Sequence, residues 1–200
     1  MVVKCRLAGA LGAPLVLLLA ACTSSGNAPE ASTSAPTQAA PTTAAPSLSA
    51  EDEAASAAAQ VVSAYFRTVV SCLADPPNSP STCFDGVTIA TERTNMNNAL
   101  ISAQQAKTKA VGSIEVVSTE RRSVDLSGDP SATPPVAPTV VLRVCSDGAT
   151  FDVLNSAGQS VIPATQPDRE VADVTVVDYG YPDATQWRVG LVTPVQGATC

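Results

Sequence analysis

Histidine is absent from all 200 residues. Its absence excludes a Ser-His-Asp triad, a Cys-His dyad, any His-ligated zinc or haem, and a histidine pH switch. Aromatic residues make up only 4% of the chain, too few for a platform on which single-stranded nucleic acid would stack. Bases are scarce as well, 11 against 18 acids, for a formal net charge of −7. Phosphate backbones bind basic surfaces, so an acidic chain is not expected to bind nucleic acid. No Gly-rich phosphate loop and no Walker lysine occur, and with them go nucleotide chemistry and any recognisable cofactor.

What is present begins with a leader. Lys4 and Arg6 form a basic start, residues 7–19 are an apolar stretch, and Leu19-Ala20-Ala21-Cys22 closes it. The stretch is shorter than the ~20 residues of a spanning helix and contains Pro14, so a secretory signal over residues 1–21 is the better reading. The closing tetrapeptide resembles the bacterial lipobox. That resemblance implies cleavage before Cys22, diacylation of its sulfur, and a lipid-anchored protein on the extracytoplasmic face of a cell membrane.

Residues 23–50 hold eight Ala, four Pro and eleven Ser or Thr, with Leu48 the one large apolar side chain. So little apolar surface does not repay backbone ordering, and residues 22–50 read as a disordered tether. A flexible chain of that length spans roughly 25–30 Å. Losing the leader would leave 9 of the 11 bases against all 18 acids. Such a domain is repelled by anionic lipid, so the anchor and not electrostatics would hold it at the membrane.

Once Cys5 leaves with the leader and Cys22 is acylated, Cys72, Cys83, Cys145 and Cys200 remain. An even number outside a membrane suggests two disulfides out of three possible connectivities. Cys72 and Cys83 flank a proline-bearing turn that a bridge would fix. Cys145 ends an apolar strand and Cys200 is the last residue, so that bond would pin a terminus that otherwise frays. The pairing Cys72–Cys83 with Cys145–Cys200 is therefore expected. The alternative, a redox or metal site, lacks any Cys-x-x-Cys spacing.

Order is expected from about residue 51. Ser49 reads as an N-cap followed by Glu51 and Asp52, where a helix favours acids. Ala54, Ala58, Val61, Tyr65, Val69 and Cys72 then recur at three- and four-residue steps, until Asp75-Pro76-Pro77 stops the helix. A second helix is expected over residues 85–109, burying Ala90, Met96, Leu100, Ala103 and Ala106. Beyond Gly112, β-branched residues dominate. Strands are expected over residues 114–126, 139–145, 150–154, 170–179 and 186–195, the second and third joined as a hairpin through Ser146-Asp147-Gly148. Helices followed by an antiparallel meander make an α+β domain: two helices on a curved sheet of four or five strands.

A family resemblance rests on several segments: the long first helix with Tyr65-Phe66, Cys72-Leu73-x-Asp75-Pro76 through Cys83-Phe84, the stretch Val144-Cys145-Ser146-Asp147-Gly148, the late strand with Trp187-Arg188-Val189, and the terminal Cys200. In these, residues 51–200 resemble actinobacterial envelope lipoprotein domains with the cone-shaped, cystatin-like fold shared by nuclear transport factor two, ketosteroid isomerase and SnoaL-like cyclases. The resemblance implies a sheet wrapped around an apolar pocket, and in the enzymes an Asp that abstracts a proton with help from Tyr or His. Asp152, Asp178 and Tyr65 are the positions that could serve in an isomerase, cyclase or dehydratase of this kind.

Two of these have a plainer reading. Asp152 alternates with Phe151 and Val153 and should face solvent; Tyr65 at helical spacing should be core, as should Trp187. Asp125, Asp129 and Asp147 beside glycines are turn chemistry and lack calcium-loop spacing, so no metal is expected. Arg121-Arg122 fits a solvated strand edge. The expectation is a non-catalytic binding or accessory module for a small apolar ligand or an envelope protein.

Overall fold

A computed structural model describes residues 48–200. The leader, Cys22 and most of the tether lie outside the described residues. The elements run α1 (Ala50–Ala74), α2 (Ala90–Ala106), β1 (Lys109–Val111), β2 (Glu115–Asp125), β3 (Thr139–Asp147), β4 (Asp152–Leu154), β5 (Arg169–Asp178) and β6 (Trp187–Pro194).

Ser49 caps α1, its hydroxyl accepting the Asp52 N–H at 3.2 Å, and Glu51, Asp52 and Glu53 fill the first turn. By length and hydropathy α1 could cross a membrane. One stripe of it, however, is buried on the sheet: Ala54, Ala58, Val62 and Tyr65. Val61 was expected on that stripe and is only half-buried. Steps of four, four and three carry the buried line through Val62 and leave Val61 at its side. After Ala74 the two prolines force a single 3-10 turn, Pro76–Asn78.

The second helix is shorter than its sequence suggests. Val87-Thr88-Ile89 runs instead beside β6: Ile89 N–H donates to Val189 O and Val189 N–H donates to Val87 O, each at 2.9 Å. A β-branched triplet suits that sheet edge better than a helical turn. At the other end Lys107, at φ 52°, closes α2 through its N–H to Ala103 O and Gln104 O. Leu100 is buried as expected, and Met96 and Ala103 are half-buried. Ala90 and Ala106 are exposed, and Glu92 is buried in their stead.

The domain is α+β. Its main sheet is fully antiparallel in the order β2-β3-β5-β6. The expected hairpin from β3 into residues 150–154 does not form. Both edges of β3 are already taken by β2 and β5, and Phe151 N–H donates to Gly148 O in a turn that leads the chain off the sheet. β4 pairs with β1 in a separate two-stranded ribbon.

The inner face of the sheet packs on α1. Val140, Leu142, Val144, Val174, Val176, Trp187 and Val189 form one buried cluster with Ala54, Ala58, Val62 and Tyr65. Each large aliphatic side chain so buried contributes about 1.5–3 kcal/mol. Cys72, Phe84 and Leu100 make a smaller cluster beneath the helix ends.

Both disulfides form as expected. Cys72–Cys83, with Cα atoms 6.1 Å apart, ties the end of α1 to the turn before α2. Cys145–Cys200, at 6.0 Å, fastens the C-terminus to β3. On the outer face Arg143 grips Asp173 through two hydrogen bonds of 3.0 and 2.9 Å. β2 is an edge strand with charged guards: Arg121 reaches Asp52 at 2.7 Å and Arg122 reaches Glu120 at 3.0 Å.

Candidate functional site

The three positions suggested by sequence share no hydrogen bond and no common cleft among the described residues. Tyr65 lies in the core, 5% exposed, and its Oη donates to Glu92 Oε1 at 2.5 Å. Burial, reinforced by the Glu92 carboxylate, pushes the Tyr65 hydroxyl well above the usual tyrosine range. Glu92 Oε2 accepts further bonds from Val192 N–H and Asn95 Nδ2, each at 3.3 Å. This pair joins α1, α2 and β6 and is satisfied within the fold. Sequence reasoning missed Glu92, although it stands four residues before Met96 and eight before Leu100, on the stripe that α2 turns inward.

Asp152 sits in the small ribbon. Its Oδ1 accepts Val153 N–H at 2.7 Å and Ser160 Oγ–H at 2.6 Å, which makes it a local turn-holding acid. Trp187 is 1% exposed and meets Tyr181 edge-on with ring centroids 6.4 Å apart, a core anchor as expected. Asp125 and Asp129 each accept the N–H and hydroxyl of the serine two residues on, at 2.5–2.9 Å. These are Asx turns.

Asp178 is different. It ends β5 on the inner face of the sheet, opposite Trp187, and is fully buried. Gly180 N–H donates to its Oδ1 at 2.7 Å, while Oδ2 has no hydrogen-bond partner. Burial raises its pKa above the ordinary aspartate range; Gly180 N–H pulls it back, Asp183 adds to the rise, and Arg188 and Tyr181 N–H oppose it. Arg188 is committed elsewhere, its Nη1 donating to Thr185 O and Trp187 O at 2.7 Å. A buried acid with an idle oxygen costs free energy unless something meets it.

That acid lines a cleft of about 280 Å³. One wall is the loop between β2 and β3, which carries Pro130, Pro135, Val136 and Pro138; the other is the turn after β5, with Tyr179 and Tyr181. The proline wall is held in place. Asp129 N–H donates to Val136 O at 2.9 Å and Val136 N–H donates back to Asp129 O at 3.0 Å. Across the cleft floor, Asp178 N–H donates to Pro138 O at 3.0 Å. Gly128 fits because a Cβ there would stand 3.0 Å from Pro138 Cδ. Two of the exposed large apolar side chains, Val136 and Tyr179, stand on the lip.

A larger cleft, about 630 Å³, lies among Pro76, Pro77, Gln104, Lys107, Lys109 and Asn155. Its polar groups are already occupied or exposed: Gln104 Nε2 donates to Pro76 O and Asp75 holds Asn78. Volume alone does not make a site; apolar walls with a few well-placed polar groups do.

No protein-family model matches the chain, and no curated protein matches it. Among solved structures it is similar to the crystal structure of the intermembrane space region of the chloroplast protein ARC6, at 11% identity and a TM-score of 0.48, over 75% of this chain and 98% of that one.

Proposed function

We propose that this chain is a lipid-anchored, extracytoplasmic binding module of the cell envelope, non-catalytic, which takes a small apolar ligand in the Asp178 cleft. The observation that carries the binding half is the cleft itself: proline, valine and tyrosine walls, apolar side chains left on its lip, and a buried acid, Asp178, among its lining residues. The address rests on the leader, the lipobox-like Leu19-Ala20-Ala21-Cys22 and the tether. Two formed disulfides agree with an oxidising compartment. The cone-domain resemblance supports the same reading, with the difference that Tyr65, offered there to a pocket, is bonded to Glu92 here.

Two measurements test it. Cys22→Ser, expressed in a bacterial host, should release the protein from membranes or leave it as uncut precursor; normal maturation with unchanged retention would sink the address. For binding, small apolar compounds screened by melting temperature should raise it by stabilising the native state alone. Compounds that work should lose their effect when Val136→Asp fills the lip with charge. A melt that no compound moves would overturn the ligand reading.

A further inference from the structure

We infer that the larger cleft, beside the C-terminal ends of α1 and α2, is a second and separate site, which takes a phosphate monoester with a small apolar body. Lys107 and Lys109, on the segment that leaves α2, hold the phosphate, and the wall of Pro76 and Pro77 takes the body. The inference does not rest on the Asp178 cleft.

The first support is where the lysines stand. The chain has three, Lys4 near its start and these two, so every lysine of the described residues lines one cleft. The second is that they are uncommitted. Among the described residues Arg93, Arg121, Arg122, Arg143 and Arg169 each hold an acid, and neither lysine does, although acids outnumber bases 18 to 11 in the chain. Both lysines are exposed and two residues apart, so their ammonium groups repel each other and move on flexible four-carbon stems. A dianion between them removes that repulsion and accepts charge-assisted hydrogen bonds from both.

The third support is that the walls are fixed before anything binds. Gln104 Nε2 donates to Pro76 O at 2.9 Å, which fastens α2 to the proline turn, and Cys72–Cys83 closes the loop that carries the prolines. Lys109 pairs with Leu154 in the two-stranded ribbon. Asn155, next in the chain, braces the far wall, its Oδ1 accepting Ala157 N–H at 2.9 Å and Gln159 N–H at 3.0 Å. A site built this way does not have to order its walls on binding.

Charge and volume set the class of ligand. One acid, Asp75, also lines the cleft; it belongs to the proline wall, and its Oδ2 accepts Asn78 Nδ2 at 2.9 Å. It repels a second anionic group, so the ligand is charged at the lysine end and uncharged at the other. A carboxylate has one charge and leaves one of the two lysines unpaired. The cleft's 630 Å³ lies within the range of small-molecule pockets, ~300–1,000 Å³, and leaves room for an apolar body beside the phosphate. A soluble ester and a lipid headgroup share this chemistry, and the test separates them.

The test uses the full chain labelled with ¹³C at lysine Cε, whose three lysines give three signals. Phenyl phosphate should shift the Lys107 and Lys109 signals together, leave Lys4 unmoved, and bind roughly tenfold tighter than benzyl alcohol, as two exposed ion pairs allow. Inorganic phosphate, which lacks the apolar body, should bind more weakly than phenyl phosphate. Lys107→Gln with Lys109→Gln should bring phenyl phosphate down to the level of the alcohol. Arg67→Gln, which removes an exposed base of α1 outside the cleft, should bind as the parent does. The lysine signals of the parent decide the matter even if the double variant fails to fold. Vesicles of phosphatidylcholine with phosphatidic acid, set against phosphatidylcholine alone, form the second arm. If the phosphatidic acid moves both lysine signals, the ester is a headgroup; if only phenyl phosphate moves them, it is soluble, and either result upholds the site. Equal binding of alcohol and phenyl phosphate, binding that leaves Lys107 and Lys109 unmoved, or full affinity in the double variant overturns it. So does a failure of both phosphates and the vesicles to bind in the millimolar range. Inorganic phosphate binding as tightly as phenyl phosphate overturns the apolar body. The Asp178 cleft stands or falls separately, by its own melting screen.

Discussion

Tyr65 and Glu92, 27 residues apart in sequence, meet through a 2.5 Å hydrogen bond in a site closed to solvent. The bond crosses from α1 to α2, and the other oxygen of Glu92 reaches Val192 N–H of β6. A single carboxylate thus joins the three elements that frame one end of the core. No lysine or arginine pairs with it among the described residues.

Tyr65→Phe should therefore destabilise the fold by about 1–3 kcal/mol, the penalty of leaving a buried acceptor without its donor. Chemical denaturation in urea measures it. Combining Tyr65→Phe with Glu92→Leu should lose less than the sum of the two single changes, because the second removes the group the first orphaned. Additive losses would show that the two residues act separately.

The same pair sets an alkaline limit. The Tyr65 hydroxyl is raised above its ordinary 10.0 by burial and by Glu92. A raised pKa means that the folded state holds its proton more tightly than the unfolded one. The resulting stability is whole below pH 10 and is lost as pH climbs toward the folded value. Denaturation midpoints should fall above pH 10 in the parent and fall less in Tyr65→Phe.

At the acid end two opposite contributions compete. Asp173 is lowered by its hydrogen bonds to Arg143, and Asp52 by Ser49 and Arg121. Their stabilisation is complete above the ordinary aspartate value of 3.8 and disappears as pH falls through the lower folded values. Asp178 is raised, so its unfavourable ionisation is relieved as pH falls. Asp178→Asn should melt higher than the parent near pH 7, with the gap narrowing on acidification. Asp173→Asn should melt lower near pH 7, the deficit shrinking below pH 3.8 and shrinking also in high salt, since the pair is about a third exposed. Melting curves between pH 2 and 7 read both signs.

Removing the Cys72–Cys83 bond by the double change to serine should leave the domain folded and about 2–4 kcal/mol less stable. Cys145→Ser with Cys200→Ser should in addition free the residues after β6 from β3, since that bond closes a 55-residue separation. Hydrogen exchange at Val195 N–H, which donates to Val171 O, should rise in the second variant and stay unchanged in the first. Equal exchange in both would show that the terminus is held by something other than the disulfide.

Much of this architecture was legible in the chain because the deciding signals are local. Ser49 with three acids after it caps a helix wherever it stands, and Pro76-Pro77 ends one for want of an N–H. The α+β order followed from a change of hydrophobic period near Gly112. The disulfide pairing followed from loop chemistry around Cys72 and Cys83 and from Cys200 standing last in the sequence, where a bond to Cys145 would pin a terminus that otherwise frays. The leader, tether and lipobox-like box are likewise properties of sequence alone.

Tertiary structure decided what depends on competition between distant segments. Residues 150–154 have hairpin character, yet they pair with β1 because β2 and β5 had already saturated both edges of β3. Val87-Thr88-Ile89 left the helix because β6 offered backbone partners. Glu92 looks like any surface acid of a polar helix until Tyr65 and Val192 converge on it. Asp152 and Asp178 are equivalent in sequence, each an acid beside β-branched residues; one starts a half-buried strand of the small ribbon and the other lies in the core. The sequence by itself determined the caps and stops, the class of fold and the cysteine bonds, since the signals for them are carried by the residues around each one. Which acid was buried, and with which oxygen left idle, depended on strands and loops from four parts of the chain arriving at one place.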